Sequence, residues 1–313
     1  MHGVICTLVE GRHFEGLAAL INSLESVGFE GELFVGTRGP RPAWLTREAE
    51  RLEALAGPRR LHLREIDRPG HMTNLKPHWM RDVWSERPHA DRLIYLDPDV
   101  CVLAPWTLIE DWIGEGVAVA QDQQPALTRG HWLFKSWQRA FESHGYTLRQ
   151  TPYEYFNAGF LGVHWEARSV LDRWGNMMAV AAEAFGGLEA SNLNGGRRSP
   201  QISTPYAAFA QTDQDVLNAA LRCGNEPLAI VGPEGMGFRP GPALMSHAVG
   251  PKPWAKPLVR QALRGIRPTF ADRQFLKHSA GRLRGTGTAS RAALAMRLQL
   301  ARLLTARVRV PST

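Results

Sequence analysis

The segment "RLIYLDPDV" (residues 92–100) decides how this chain is read. Four apolar residues in a row, Leu93 to Leu96, make a buried strand too short for a helix. Two carboxylates, Asp97 and Asp99, follow at once. Pro98 between them restrains φ and removes an amide donor, so the turn is stiff. Upstream, "HGVICTLV", "GELFVGT" and "RRLHLREI" read as strands, and "FEGLAALINSLESVG", "AWLTREAERLEAL" and "PHWMRDVWSE" as helices. Strand and helix alternate, the pattern of an α/β sheet built from βαβ units. Downstream, "GVAVAQD" reads as a strand and "YFNAGFLGVHW" as a strand entered through a small-residue turn. "SVLDRWGNMMAVAAEAF" and "DQDVLNAALR" read as helices, and residues 186–205 between them as a Gly-, Ser- and Asn-rich loop carrying Arg197 and Arg198.

The totals bound the class. At 313 residues with 44% hydrophobic composition, the chain can bury a sizeable core, which excludes global disorder. Cys6, Cys101 and Cys223 are scattered, against a disulfide framework or a thiolate zinc site. The start reads as a first strand rather than a leader, and no run approaches the roughly 20 apolar residues of a membrane span. A cytoplasmic protein is the expectation. The net charge of +7 is uneven: residues 256–313 hold 13 Lys or Arg against Asp272 alone, while residues 1–255 hold 24 against 29 acids. The division expected is therefore a catalytic body, 1–255, and a basic, largely helical C-terminal extension, 256–313.

In an open α/β sheet, ligands bind beyond the carboxyl ends of the strands. Asp97 and Asp99 sit at such an end and could hold a hard divalent cation against phosphates, or form an ordinary acidic turn. In "SHAVGPKPW" (246–254), His247 offers an imidazole, Gly250 close backbone approach and Lys252 a cation for a diphosphate leaving group; the plain alternative is a proline-rich surface loop. In "TDQDVLN" (212–218), Asp213 is a candidate N-cap with Asp215 in the first turn. In "FNAGF", Asn157, Ala158 and Gly159 suit a tight turn or hydrogen bonds to a polyhydroxylated ligand.

In this order, a Lys before the fourth strand, DxD, NAG, DQD and HxxG…KPW resemble the nucleotide-sugar glycosyltransferases of the GT-A fold. Family 8 is the nearest likeness, over residues 2–254. The resemblance implies a mixed, mostly parallel sheet flanked by helices. It implies transfer of a hexose, with retention, from a nucleotide sugar (UDP-linked, by family habit) to a glycan or lipid-linked saccharide. Asp97, Asp99 and His247 would bind Mn²⁺ or Mg²⁺. Gly250 and Lys252 would meet the diphosphate, Lys252 stabilising the leaving group. Asn157, with Ala158 and Gly159, would meet the donor; Asp213 and Gln214 would bind sugar hydroxyls where attack occurs. Lys76 would reach the donor, and Thr7 would lie near the base. Three departures stand out. His247 and Lys252 are one residue closer than is usual in the family, Lys76 lies farther upstream of the DxD, and His13 or Phe14 replaces the usual Tyr of the base pocket.

Two other classes compete. A haloacid-dehalogenase-like phosphatase would use Asp97 as nucleophile and Asp99 as acid, but its motif ends the first strand. A non-catalytic nucleotide-sugar or anionic-surface binder could act through the basic tail, on a membrane leaflet rather than on nucleic acid. The arginines of "SRAALAMRLQLARLLTARVRV" do not share one clean face, so a solvated helix packing one stripe on the body is an equal reading.

Overall fold

The computed structural model describes residues 3–55, 57–124, 126–128, 130–185, 208–285 and 288–307. The Gly-rich segment 186–205, with Arg197 and Arg198, lies outside them.

A seven-stranded sheet runs through the body: β1 (Val4–Glu10), β2 (Glu32–Arg38), β3 (Arg60–Glu65), β4 (Arg92–Leu96), β6 (Val117–Ala120), β7 (Phe160–His164) and β8 (Leu228–Val231). The spatial order is β3-β2-β1-β4-β7-β6-β8. The β1–β2, β2–β3, β1–β4 and β6–β8 pairs are parallel; β7 is antiparallel to both of its neighbours. The sheet is thus mixed and mostly parallel, as expected.

Helices cover both faces: α1 (Phe14–Ser26), α2 (Ala43–Ala54) and α4 (Trp106–Ile113) on one, α3 (Lys76–Glu86), α5 (Trp132–Glu142), α6 (Ser169–Phe185) and α7 (Thr212–Cys223) on the other. Strand alternation divides the core between them. In β1, Cys6 and Leu8 face the layer holding Trp79, Trp137 and Trp174, while Ile5 and Val9 face Leu17, Leu20 and Leu45. Helix α1 stops where sequence placed its end, in a Schellman closure: Gly28 N–H donates to Glu25 O and Phe29 N–H to Leu24 O. Helices α4 and α5 and strand β8 are elements that the sequence reading did not place.

Two strands of three residues each form a second sheet: β5 (Val100–Val102) and β9 (Met245–His247). They pair antiparallel, with Val100 opposite His247. After β9 come α8 (Leu258–Ala262), α9 (Phe270–Ser279) and α10 (Thr288–Arg307). Helix α9 opens with a capping box between Thr269 and Asp272 and lies on α1. There Asn22 donates to His278 O and Leu283 O, at 2.9 and 2.8 Å, and accepts from Leu283 N–H at 2.9 Å. Helix α10 buries Leu298 and Ala301 against Leu258 and Ala262 of α8. No helix among the described residues is long and apolar enough to cross a membrane.

Candidate functional site

Strand β7 runs against β4, so Phe160, which begins β7, pairs with Leu96, which ends β4. The segments just outside this pair, Asp97-Pro98-Asp99 and Asn157-Ala158-Gly159, therefore meet beyond the carboxyl end of β4. Asp97 N–H donates to Gly159 O at 2.8 Å. The β5–β9 ladder brings His247 to the same place. Ligand atoms of Asp97, Asp99 and His247 all lie within 4.8 Å of one another. His247 Nε2 is 3.4 Å from Asp99 Oδ1 and 3.7 Å from Asp97 Oδ2.

The imidazole is held from behind. Its Nδ1 lies 3.0 Å from Asn157 Oδ1, an atom that can only accept, so Nδ1 carries a proton and Nε2 is the nitrogen turned to the carboxylates. Asn157 is fixed in turn: Oδ1 also accepts from Gly159 N–H at 2.8 Å, and Nδ2 donates to Asp122 at 2.9 Å. A Cβ at position 159 would overlap the imidazole ring, so only glycine lets His247 approach this closely.

Charge balance explains why buried carboxylates persist here. Burial acts to raise the Asp99 carboxyl, but His247 and Lys252 outweigh it and hold it well below the usual range. Lys252 Nζ contacts Asp99 Oδ2 directly and donates to Ala248 O at 3.0 Å. Lys76, fully buried at the start of α3, lies 3.1 Å from Asp97 Oδ1 and 2.9 Å from Asp213 Oδ2, and donates to Ala158 O at 2.9 Å. Burial works to lower the Lys76 pKa, yet Asp213 and Asp97 outweigh it and leave it raised. Burial also raises Asp213, an effect that Lys76 offsets only in part.

Helix α7 supplies the opposite wall. Its N-cap is Gln211, not Asp213, which sits at the second helical position. Asp215 takes the capping work, accepting from Gln211 N–H and from the Tyr155 hydroxyl at 2.8 Å each. Asp213 is thereby left for Lys76. Gln214 accepts from Ala158 N–H at 3.0 Å and donates to Asp122 and Gln211, at 2.8 and 2.7 Å. Asn218 secures the helix by bonding both Phe156 N–H and Phe156 O at 2.8 Å.

Asp97, Asp213, Gln214, His247, Gly250 and Lys252 open onto a single cavity of about 670 Å³, with Lys76, Asn157 and Gly159 also in its wall. Gly250, at φ +76°, turns the loop that faces it. Of the other expected residues, Ala158 is buried behind this wall, and Thr7 lies fully buried in β1, its hydroxyl without a partner and outside the lining. Asp122 is a site residue that the sequence reading did not single out. It carried the same signal as Asp97, an acid just past a predicted strand, and it joins Asn157 to Gln214.

Two carboxylates and one imidazole form an oxygen-rich donor set suited to a hard or borderline divalent cation; Asp97 and His247 face the cavity, and Asp99 lies buried behind them against Lys252. The oriented Nε2 and the absence of thiolate from the group fit Mn²⁺ or Mg²⁺.

A βαβ half, an antiparallel β7 and a small second sheet carrying an Asp-Asp-His group define a GT-A architecture, and comparison with solved structures agrees. An active-site mutant of the galactosyltransferase LgtC matches with a TM-score of 0.51 and 16% identity, over 88% of this chain and 95% of that one. The apo form of the glycosyltransferase GlyE from Streptococcus pneumoniae TIGR4 matches with a TM-score of 0.52 and 13% identity, over 100% of this chain and 65% of that one. No protein-family model and no curated protein sequence matches the chain.

Proposed function

We propose that this protein is a metal-dependent glycosyltransferase that moves a hexose from a nucleotide-sugar donor, UDP-linked, to a saccharide acceptor, with retention. The observation that carries the reading is the convergence of Asp97, Asp99 and His247 within 4.8 Å, with Asp97 and His247 in the cavity wall and Lys252 beside Asp99. A phosphatase would need Asp97 free for in-line attack, whereas Lys76 and the Tyr95 hydroxyl (2.9 Å) engage it.

Asp97, Asp99 and His247 would hold Mn²⁺ or Mg²⁺, which supplies Lewis-acid charge to a departing diphosphate. Lys252 exchanges its contact with Asp99 for a diphosphate oxygen and stabilises the charge that grows there. The Gly250 backbone allows that oxygen close approach. Asp122, Asp213 and Gln214 orient the hexose hydroxyls. Lys76 holds Asp97 and Asp213 at a fixed spacing, and Gly159 keeps the wall narrow beside His247, with Ala158 buried behind it. The Gln214 amide, engaged on both ends, is a poor nucleophile. Retention then places acceptor attack and diphosphate departure on one face of the sugar, where a departing phosphate oxygen takes the acceptor proton.

The test is hydrolysis of a panel of nucleotide sugars with Mn²⁺, with Asp99→Ala as control. Consumption of one donor by the wild type alone supports the reading; no consumption, or equal rates for both proteins, ends it.

A second surface favours a membrane-facing role. Leu263, Ile266, Met296, Leu300 and Leu303 are exposed on the α8 and α10 face, among arginines with one nearby acid, Asp272. We infer that this face meets an anionic leaflet, in keeping with a lipid-linked acceptor.

A further inference from the structure

Behind His247 a second cavity, of about 500 Å³, opens beside the first; Gln123, His247 and Val249 line both. Its walls are the loop between β8 and β9 and the segment that enters α9. The two cavities differ in charge. Asp97, Asp122 and Asp213 line the first, whereas among the described residues no carboxylate lines the second. Three cations do: Lys256, Arg239 and Arg273.

Lys256 is neutralised by Asp272, at 2.9 and 3.0 Å. The two arginines are not. Among the described residues the Arg273 guanidinium donates only to Pro268 O, at 3.3 Å, and lies 5.8 Å from the centre of the Phe270 ring, a contact that steadies it without cancelling its charge. Arg239 has no ion pair or hydrogen bond among the described residues. The remaining lining suits a sugar ring: Phe238 and Phe270 offer aromatic faces, and Phe238 lies 6.0 Å from the His247 ring.

We propose that this second cavity is the acceptor subsite and that it selects an acceptor saccharide bearing an anionic group, a phosphate or a carboxylate. The proposal rests on the transferase reading of the neighbouring site. Guanidinium forks recognise both groups through paired, charge-assisted hydrogen bonds. A carboxylate-free cleft with two unneutralised arginines concentrates such ligands. The division of labour follows from sign. An anionic acceptor is repelled from the carboxylates of the first cavity and held by the arginines of the second, which leaves its reacting hydroxyl at the shared wall formed by His247 and Val249. Transfer then forms a bond from that hydroxyl to the donor's anomeric carbon, the bond from that carbon to the diphosphate breaks, and the hydroxyl proton leaves with the diphosphate.

Calorimetric titration of the full-length protein in EDTA, which keeps metal-bridged anions out of the first cavity, tests the proposal. The probes are methyl glucoside, inorganic phosphate, glucuronate and glucose 1-phosphate. The expected result is binding of at least one anionic sugar about tenfold or more tighter than methyl glucoside, the gain that charge-assisted hydrogen bonds give at a solvated site. The double variant Arg239→Ala/Arg273→Ala, checked for folding by its melting temperature, should bind that sugar no better than methyl glucoside. Preference for glucose 1-phosphate assigns a phosphorylated acceptor; preference for glucuronate, an acidic sugar. Unchanged binding by the double variant, or inorganic phosphate binding as tightly as the anionic sugar, would overturn the proposal. Stabilisation of the wild type by UDP with Mn²⁺ involves neither arginine and is measured in parallel, so failure of the donor reading is separable from failure of the subsite.

Discussion

Replacing Asp215 with Asn removes a proton-linked cost from the folded state. Burial under the first turn of α7 pushes this carboxyl up to about 8, against the lowering effect of hydrogen bonds from Tyr155 and the Gln211 N–H. In the unfolded chain an Asp titrates near ~3.9. Between the two values the unfolded chain releases a proton that the folded chain keeps. The group's contribution is therefore fully favourable below about pH 4 and is lost as pH rises toward the folded value, at about 1.4 kcal/mol per pH unit. By pH 7 the accumulated cost is about 4 kcal/mol. Asn has no proton to lose. Its Oδ1 can accept from Gln211 N–H, and its Nδ2 can donate to a Tyr155 hydroxyl turned to accept. That exchange carries a pH-independent cost of about 1 kcal/mol. Urea denaturation in steps from about pH 4.5 to pH 8.5 should show Asp215→Asn no more stable than the wild type at the acid end and more stable at the alkaline end. Parallel profiles for the two proteins would refute the reasoning, because they would mean that Asp215 ionises in the fold as it does in the unfolded chain.

The remaining expectations concern the site and the tail. Gly159→Ala pushes the imidazole off its carboxylates, so Mn²⁺ affinity, measured by calorimetry, should fall about tenfold or more, the cost of disturbing an oriented ligand. Lys76→Met leaves Asp97 and Asp213 facing each other without their shared cation; we expect about 3–5 kcal/mol of destabilisation in urea, and an unchanged midpoint would contradict the bridging role. Mn²⁺ should raise the melting temperature of the wild type but not of Asp99→Ala, since only a protein that binds the ion gains stability from it. Leu300→Glu/Leu303→Glu should abolish flotation with vesicles containing phosphatidylserine, and flotation equal to that of the wild type would remove the leaflet from the account.

Much of the fold was legible because its signals are local. The short apolar runs of β1 to β4 and the amphipathic stretches of α1 to α3 announce themselves over a few residues. Strands β5 and β9 do not. Three residues carry no measurable period, and their pairing joins positions about 150 residues apart. The site residues divide in the same way. Asp97 and Asp99 were legible as acids at a strand end, and His247 as an imidazole near a glycine. What sequence could not supply was the arrangement behind them. Asn157 is occupied in holding His247, and Asp213 is free for Lys76 because Asp215 does the capping. Asp122 went unremarked although it ends a strand as Asp97 does, because an acid in that place has meaning only once β7 has been folded back beside it.

The three-residue ladder between β5 and β9 has a consequence for how the protein comes into being. Two of the three candidate ligands, Asp97 and Asp99, leave the ribosome together, and the third, His247, follows only after the long stretch of chain between β5 and β9. A nascent chain therefore has no complete ion site until the second half has docked on the first. A cation held there would fasten the halves together across a very long loop. A truncated product lacking β9 would be marked by its inability to retain the ion.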